Sequence, residues 1–247
     1  MRHCRSRRIK SVAFTQNYTI LAPASPFHHN IKFFDVKTGK ELGLIAGHGR
    51  DINVMTFSPD GKYLASAAWD RTVKIWDVDS WEEIRTLTGQ KEEISGLDFA
   101  NGSTLLVSSA YDRSVMIWDV ATGVMLKELI GHGMRVNALD VSPNSKFIVS
   151  AGRDTVLVWN LVSGKKLWDL NGHNWGVTSA VFHPDSRLIA TCSWGDELVM
   201  FWDVETGKLL KSLPGHWDAL RSLAFSPDGK LLASGANNGI ILIWEID

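Results

Sequence analysis

Cysteine is almost missing: the 247 residues contain two, Cys4 and Cys192. Neither has a CxxC partner, which argues against a disulfide framework or a zinc knuckle. No apolar run approaches the ~18 residues that read as a membrane-spanning helix. The first residues lack the apolar core of a signal peptide, so a reducing, cytoplasmic setting is the expectation. Charge of one sign is not in excess either, with 26 Lys and Arg against 27 Asp and Glu. There is then no overall basic field to hold nucleic acid or an anionic membrane. The one basic run opens the chain, "MRHCRSRRIK", and residues 1–8 read as a solvated tail. Phosphate loops of the GxGxxG or GxxxxGK[ST] type are absent, as are HExxH and GxSxG. No segment has the length and 3.6-residue period of a helix.

What the chain does have is a period. Gly-His occurs at Gly47-His48, Gly131-His132, Gly172-His173 and Gly215-His216, and Gly89-Gln90 fills the gap, giving spacings of 42, 42, 41 and 43. A second marker keeps step: Trp76-Asp77, Trp118-Asp119, Trp159-Asn160, Trp202-Asp203 and Trp244-Glu245. A turn is the third marker: "SPDG" at 58–61 and 226–229, "SPNS" at 142–145 and "HPDS" at 183–186. Within each period, short β-rich stretches alternate with turn residues. The second unit reads "INVMTFS", "YLASAAW", "TVKIWDV" and "EIRTLT", four strands of about six residues each. Such a unit buries little alone, and stacking units face to face buries both faces.

Gly-His, Ser-Pro-Asp-Gly, "LAS", Asp and "VKIWD", in that order, resemble the WD40 repeat, from about residue 9 to the end of the chain. The resemblance implies an all-β fold, a β-propeller of six four-stranded antiparallel blades with the last blade one strand short. The blades are expected at about 9–46, 47–88, 89–130, 131–171, 172–214 and 215–247. It also implies a structural hydrogen-bond network in each blade, and not a catalytic site. Its members here are His48, Ser66, Asp70 and Trp76; Asp112 and Trp118; His132, Ser150, Asp154 and Trp159; His173, Thr191, Asp196 and Trp202; and His216, Ser234 and Trp244. A His, Ser and Asp set would suit acyl transfer, but five active sites in one small domain are implausible. Gln90 in place of His and Asn238 in place of Asp predict weaker networks in two units. The first unit is the most degenerate, with Phe34 at the Trp position and no Gly-His before it.

The sixth unit ends after its third strand, which leaves ring closure open. In the family the opposite terminus usually supplies the missing strand, but "MRHCRSRR" is a poor strand. Either the ring has six blades and is weakly closed, or the chain is the C-terminal part of a longer ring. The second is favoured because the first unit begins without its Gly-His. Open edges would invite self-association.

The 11 tryptophans include six outside the marker series: Trp69, Trp81, Trp168, Trp175, Trp194 and Trp217. Trp81 and Trp168 lie at or in fourth strands and are expected to cover neighbouring apolar surface. The other four fall in the second-to-third-strand loop or the loop entering strand one, which lie at the same end of a blade. Tyr111 and Arg153 fill the position of Trp69; Arg50 and Met134 fill that of Trp175. In the family that end is the top face, where partners dock. Trp, Tyr, Arg and Met dominate interface hot spots. The expected partner-binding set is therefore Trp69, Tyr111, Arg153, Trp194, Trp175, Trp217, Arg50 and Met134.

The reading is a non-catalytic scaffold that binds a protein or peptide segment, alone or as the sensing part of a larger protein. No cofactor, metal, nucleic acid or membrane is expected. His28-His29 is an adjacent pair and a poor chelate. A propeller hydrolase is the first alternative; it would need paired carboxylates among Asp51, Glu93, Asp98, Asp140 and Asp218. A single-strand nucleic-acid reader is the second, and the near-neutral charge argues against it.

Overall fold

A computed structural model describes residues 11–15, 17, 19–24 and 29–246. The basic tail lies outside them. Among the described residues all regular structure is strand, in six antiparallel sheets whose strand order follows the chain. The first sheet holds β1 (Ser11–Phe14), β2 (Ile20–Ala24), β3 (Asn30–Asp35) and β4 (Glu41–Ala46). The second holds β5 (Ile52–Phe57), β6 (Tyr63–Ala68), β7 (Thr72–Asp77) and β8 (Glu83–Thr88). The third holds β9 (Ile94–Ala100), β10 (Leu105–Ala110), β11 (Val115–Asp119) and β12 (Met125–Leu129). The fourth holds β13 (Val136–Val141), β14 (Phe147–Gly152), β15 (Val156–Asn160) and β16 (Lys166–Leu170). The fifth holds β17 (Val177–Phe182), β18 (Leu188–Ser193), β19 (Leu198–Asp203) and β20 (Leu209–Pro214). The sixth has three strands among the described residues, β21 (Leu220–Phe225), β22 (Leu231–Ala236) and β23 (Ile241–Glu245). This is the all-β architecture with a short last sheet that the repeats imply. Among the described residues no helix is long and apolar enough to cross a membrane.

The chain divides into two compact units, Met1–Ser108 with Ile117–Leu126, and Ser109–Met116 with Lys127–Asp247. In the first unit the core lies between the first two sheets and includes Ala22, Ile31, Phe33, Ile52, Leu64 and Trp76. In the second unit one core lies between the fourth and fifth sheets, around Val158, Val177, Phe182 and Trp202, and another between the fifth and sixth, around Cys192, Phe201 and Leu232. Second strands are buried on both faces, which explains their small residues. "LASAA" in β6 and "VSAG" in β14 let the sheets approach, since only small side chains fit there. Burial in this way pushes the pKa of the Cys192 thiol up to about 12, which disfavours the reactive thiolate.

Neighbouring sheets are also tied by hydrogen bonds. The first strands β5, β13, β17 and β21 carry a β-bulge one residue in, at Asn53, Asn137, Thr178 and Arg221, whereas β1 pairs without one. The bulged side chain is re-aimed at the next sheet. Asn53 Nδ2 donates to Ile94 O at 2.8 Å, Asn137 Nδ2 to Val177 O at 2.9 Å and Thr178 Oγ1 to Leu220 O at 2.8 Å. Arg221 departs from this series: its Nε donates to Asn237 Oδ1 in its own sheet at 2.7 Å.

Turns at the other end of the sheets use side-chain acceptors. The Asp of Trp-Asp accepts from the Thr or Ser three residues on; Asp119 Oδ1, for example, receives the Thr122 N–H at 2.7 Å and its hydroxyl at 2.6 Å. These bonds hold the Asp119 carboxyl below the usual carboxylate range. The residue after that Thr or Ser has positive φ and is Gly39, Gly123, Gly164 and Gly207 in four sheets. In the second sheet it is Trp81, at φ 59°. A left-handed tryptophan is strained by about 1 kcal/mol or more. Its ring offsets this by stacking on buried Phe33 at 3.7 Å, beside the sheet that has no marker tryptophan. Trp168, the other extra indole in an outer strand, lies over Gly207 and donates its Nε1–H to Val204 O at 3.1 Å.

Candidate functional site

The repeated polar residues form chains of hydrogen bonds inside single sheets. In the fourth sheet Trp159 Nε1 donates to Ser150 Oγ at 2.8 Å. Ser150 Oγ lies 2.7 Å from His132 Nε2, and His132 Nδ1 lies 3.4 Å from Asp154 Oδ1. One proton assignment satisfies the series: indole N–H to hydroxyl, hydroxyl to Nε2, and Nδ1–H to the carboxylate. The second sheet repeats it with Trp76, Ser66, His48 and Asp70, at 2.8, 2.8 and 3.0 Å. The fifth repeats it with Trp202, Thr191, His173 and Asp196, at 2.8 Å throughout. In the third sheet Trp118 Nε1 donates to Ser108 Oγ at 2.8 Å, and Asp112 accepts from Ser114. In the sixth, Trp244 and His216 both bond Ser234, at 2.8 and 2.7 Å, but His216 Nδ1 has no partner among the described residues. Asn238 stands where the acid would be and instead accepts from Ile240 N.

The same carboxylates brace the entering loop. Asp70 accepts from Gly49 N at 2.8 Å, and Asp154 from Gly133 N at 2.6 Å and Met134 N at 3.2 Å. Burial pushes the Asp70 carboxyl up, but bonds from His48, Thr72 and Gly49 outweigh it and hold the group far below the carboxylate range. Asp154 and Asp196 are held down in the same sense, against burial, by their own donors and by His132 and His173. Burial lowers His132 and His216 below the usual 6.5. A histidine held neutral by the fold takes up its proton on unfolding, so its contribution is lost as pH falls below about 6.5. The depressed carboxyls contribute above about 3.8 and are lost as pH falls further. The urea midpoint should therefore be level above about pH 7, decline below about 6.5, and drop again below about 4. A midpoint that rises on going from neutral to mildly acidic pH contradicts this.

The Gly of each Gly-His is required by the same indole. A Cβ on Gly131 would lie 2.8 Å from Trp159 Cη2, and one on Gly172 2.8 Å from Trp202 Cη2. Gly131→Ala should cost about 1–3 kcal/mol by forcing Trp159 to shift, read as a lower urea midpoint. A loss under about 0.5 kcal/mol, typical of a neutral surface site, contradicts the contact.

In the second unit the Asp-bearing loops and the strand entries enclose a hollow of ≈ 410 Å³ lined by Tyr111, Arg135, Asn137, Arg153, Thr178, Trp194 and Arg221. Arg135 Cζ sits 5.2 Å from the Tyr111 ring centroid, a cation–π contact. Trp194 meets Trp175 edge to face, centroids 5.4 Å apart at 63°. These indoles are 39% and 55% exposed, well above what a packing role requires. Two glycines make room for them: a Cβ on Gly176 would lie 3.1 Å from Trp194 Nε1 and 3.3 Å from Arg153 Cγ, and Trp175 lies against Gly195.

Of the residues singled out from the sequence, Tyr111, Arg153 and Trp194 line this hollow and Trp175 adjoins it. Met134 is exposed on the entering loop of the fourth sheet, outside the lining. Trp217 is 69% exposed and makes no ring contact or hydrogen bond among the described residues. Trp69 and Arg50 belong to the first unit, both exposed; the Trp69 N–H donates to Asp51 O at 2.9 Å. Arg135, Asn137, Thr178 and Arg221 were not anticipated. Their signal is charge by column: Arg135 falls where the earlier repeats have Asp51 and Glu93, and Arg221 where they have Asn53 and Ser95.

Four of the five acidic residues considered for hydrolysis, all but Glu93, have partners of their own. Asp140 Oδ2 accepts from Phe182 N at 2.6 Å, Asp218 Oδ1 from Ala219 N at 2.7 Å and Asp98 Oδ1 from Phe99 N at 2.9 Å. Asp51 Oδ1 lies 3.3 Å from His29 Nε2; His28 lies outside the described residues. Among the described residues no group of three His, Cys, Asp or Glu is placed to hold a metal ion.

A family model described as "WD domain, G-beta repeat" matches residues 39–77, 81–119, 123–160, 164–203 and 207–245. Each match opens at the positive-φ turn residue, Gly39, Trp81, Gly123, Gly164 or Gly207, runs through the outer strand of one sheet and ends in the third strand of the next. The sequence repeat is thus one strand out of phase with the sheet. No curated protein matches the chain.

Proposed function

Because the chain belongs to the WD40 family, whose repeats generally serve as protein-interaction scaffolds, we propose that it is a non-catalytic module that docks a segment of another protein on the loops of its second unit. The observation that carries this is the exposed Trp175–Trp194 pair at the rim of the Tyr111–Arg153 hollow. Large apolar rings left wet beside a concave polar site are the composition of a hot spot. The scaffold itself has no need of them, because its own indoles, Trp159 and Trp202, are already buried and bonded. Met134 and Trp217, and Trp69 with Arg50 in the first unit, are proposed as further contacts. The chain should capture at least one protein from lysate that Trp175→Ala/Trp194→Ala does not, with the unfolding midpoint unchanged. Capture of the same proteins by both overturns the reading.

A further inference from the structure

We propose that the hollow of the second unit selects acidic peptide segments, the carboxylates of the partner being held by Arg135, Arg153 and Arg221. This rests on the docking reading above and names the chemistry of its occupant. Three exposed guanidinium groups line one hollow whose lining includes no carboxylate. Among the described residues none of the three makes an ion pair. Asp140 and Asp218, near Arg135 and Arg221 in sequence, accept backbone N–H groups, and the acids of the loops that carry Tyr111, Arg153 and Trp194 are turned into the sheets. Asp112 holds Ser114, Asp154 holds His132 and two loop N–H groups, and Asp196 holds His173 and Ser193. These three loop carboxylates are thereby engaged internally, and the guanidinium groups are left facing the hollow.

The arginines are also pre-positioned. Arg135 lies over Tyr111, and Arg221 is held through Nε to Asn237, which leaves both of its terminal nitrogens to donate. A planar guanidinium held this way matches a carboxylate bidentately with little ordering cost. Arg221 is available only because it departs from the bulge series, in which Asn53, Asn137 and Thr178 are tied to the next sheet. Trp194 beside Arg153 supplies an apolar wall, so an acidic residue next to an aromatic or aliphatic one fits best. The volume, ≈ 410 Å³, suits a short stretch of side chains. A nucleic-acid strand would need a basic track several nucleotides long, and the chain as a whole carries a net charge of −1.

The test is selection of a displayed library of random 12-residue peptides on the full immobilised chain, followed by binding of an enriched peptide in solution. Asp and Glu should be enriched over the input library. Affinity should fall by about 10- to 100-fold in Arg135→Gln/Arg221→Gln and weaken with added salt. These side chains are exposed, so the variant should keep the wild-type unfolding midpoint. Enrichment without acidic bias, or unchanged affinity in the variant, overturns the acidic preference and leaves peptide docking standing. No enrichment over bare support overturns both. Displacement of the peptide by an oligothymidylate at lower concentration than by the peptide itself would assign the hollow to nucleic acid and overturn the proposal.

Discussion

Trp159→Ala should lower the unfolding free energy by about 3–5 kcal/mol, the range for removing a buried aromatic. Three losses combine. The indole is 2% exposed at the centre of the fourth sheet, so its removal opens a cavity. Gly131, whose missing Cβ makes space for the ring, cannot refill it. The Ser150 hydroxyl, which accepts the indole N–H, is left short of a donor inside the sheet. Against a typical total stability of about 5–15 kcal/mol, the loss would show as a large drop in urea midpoint. Val162→Ala, at a position 78% exposed, is the control and should stay within about 0.5 kcal/mol. A loss under about 1 kcal/mol for Trp159→Ala would mean that the strand-three indole does not build the sheet.

Ser150→Ala should cost about 2–6 kcal/mol, although it removes only one atom. The hydroxyl is the hub of the chain: it accepts from Trp159 and donates to His132, and its loss leaves two buried groups unpaired at about 1–3 kcal/mol each. Size is not the requirement, because Thr191 plays the same part in the fifth sheet. Ser150→Thr should therefore be much milder than Ser150→Ala. Ser234→Ala in the sixth sheet should also cost less, since His216 there already lacks a partner at Nδ1 and no acid continues the chain. Equal losses at Ser150 and Ser234 would contradict the idea that the carboxylate end of the network adds to its strength. Urea unfolding of the four proteins decides it.

Much of the architecture is legible without coordinates because it is made of short-range rules repeated in phase. Pro at 59 and Gly at 61 specify a turn, alternation specifies strands, and a run of "LAS" between two such turns specifies a strand buried on both faces. Gly before His is readable as a repeated marker, but its reason is not: only in three dimensions does the indole tip of the residue 28 positions on, Trp159 for Gly131, meet that α-carbon. Trp81 shows the same limit. As a residue of an outer-strand turn it promised surface cover; that it occupies a glycine corner, at positive φ, to stack on Phe33 follows from the sheet register.

The site divides along the same line. Residue type and column separate Trp76, which recurs, from Trp69, Tyr111, Arg153 and Trp194, which vary: a residue that builds the sheet must recur, and one proposed to meet a partner need not. Which of those varying residues share a hollow was decided by tertiary structure alone. Tyr111, Arg153 and Trp194 come from three successive repeats and meet only because stacked sheets align their loops. Arg135 and Arg221 join them through strand entry and a bulge, features that re-aim a side chain without changing the pattern of apolar residues. Periodicity is carried by near neighbours in the chain and survives as sequence. The hollow proposed as a binding surface is assembled from residues about 42 positions apart, and its charge depends on which loop acids the interior has already bonded.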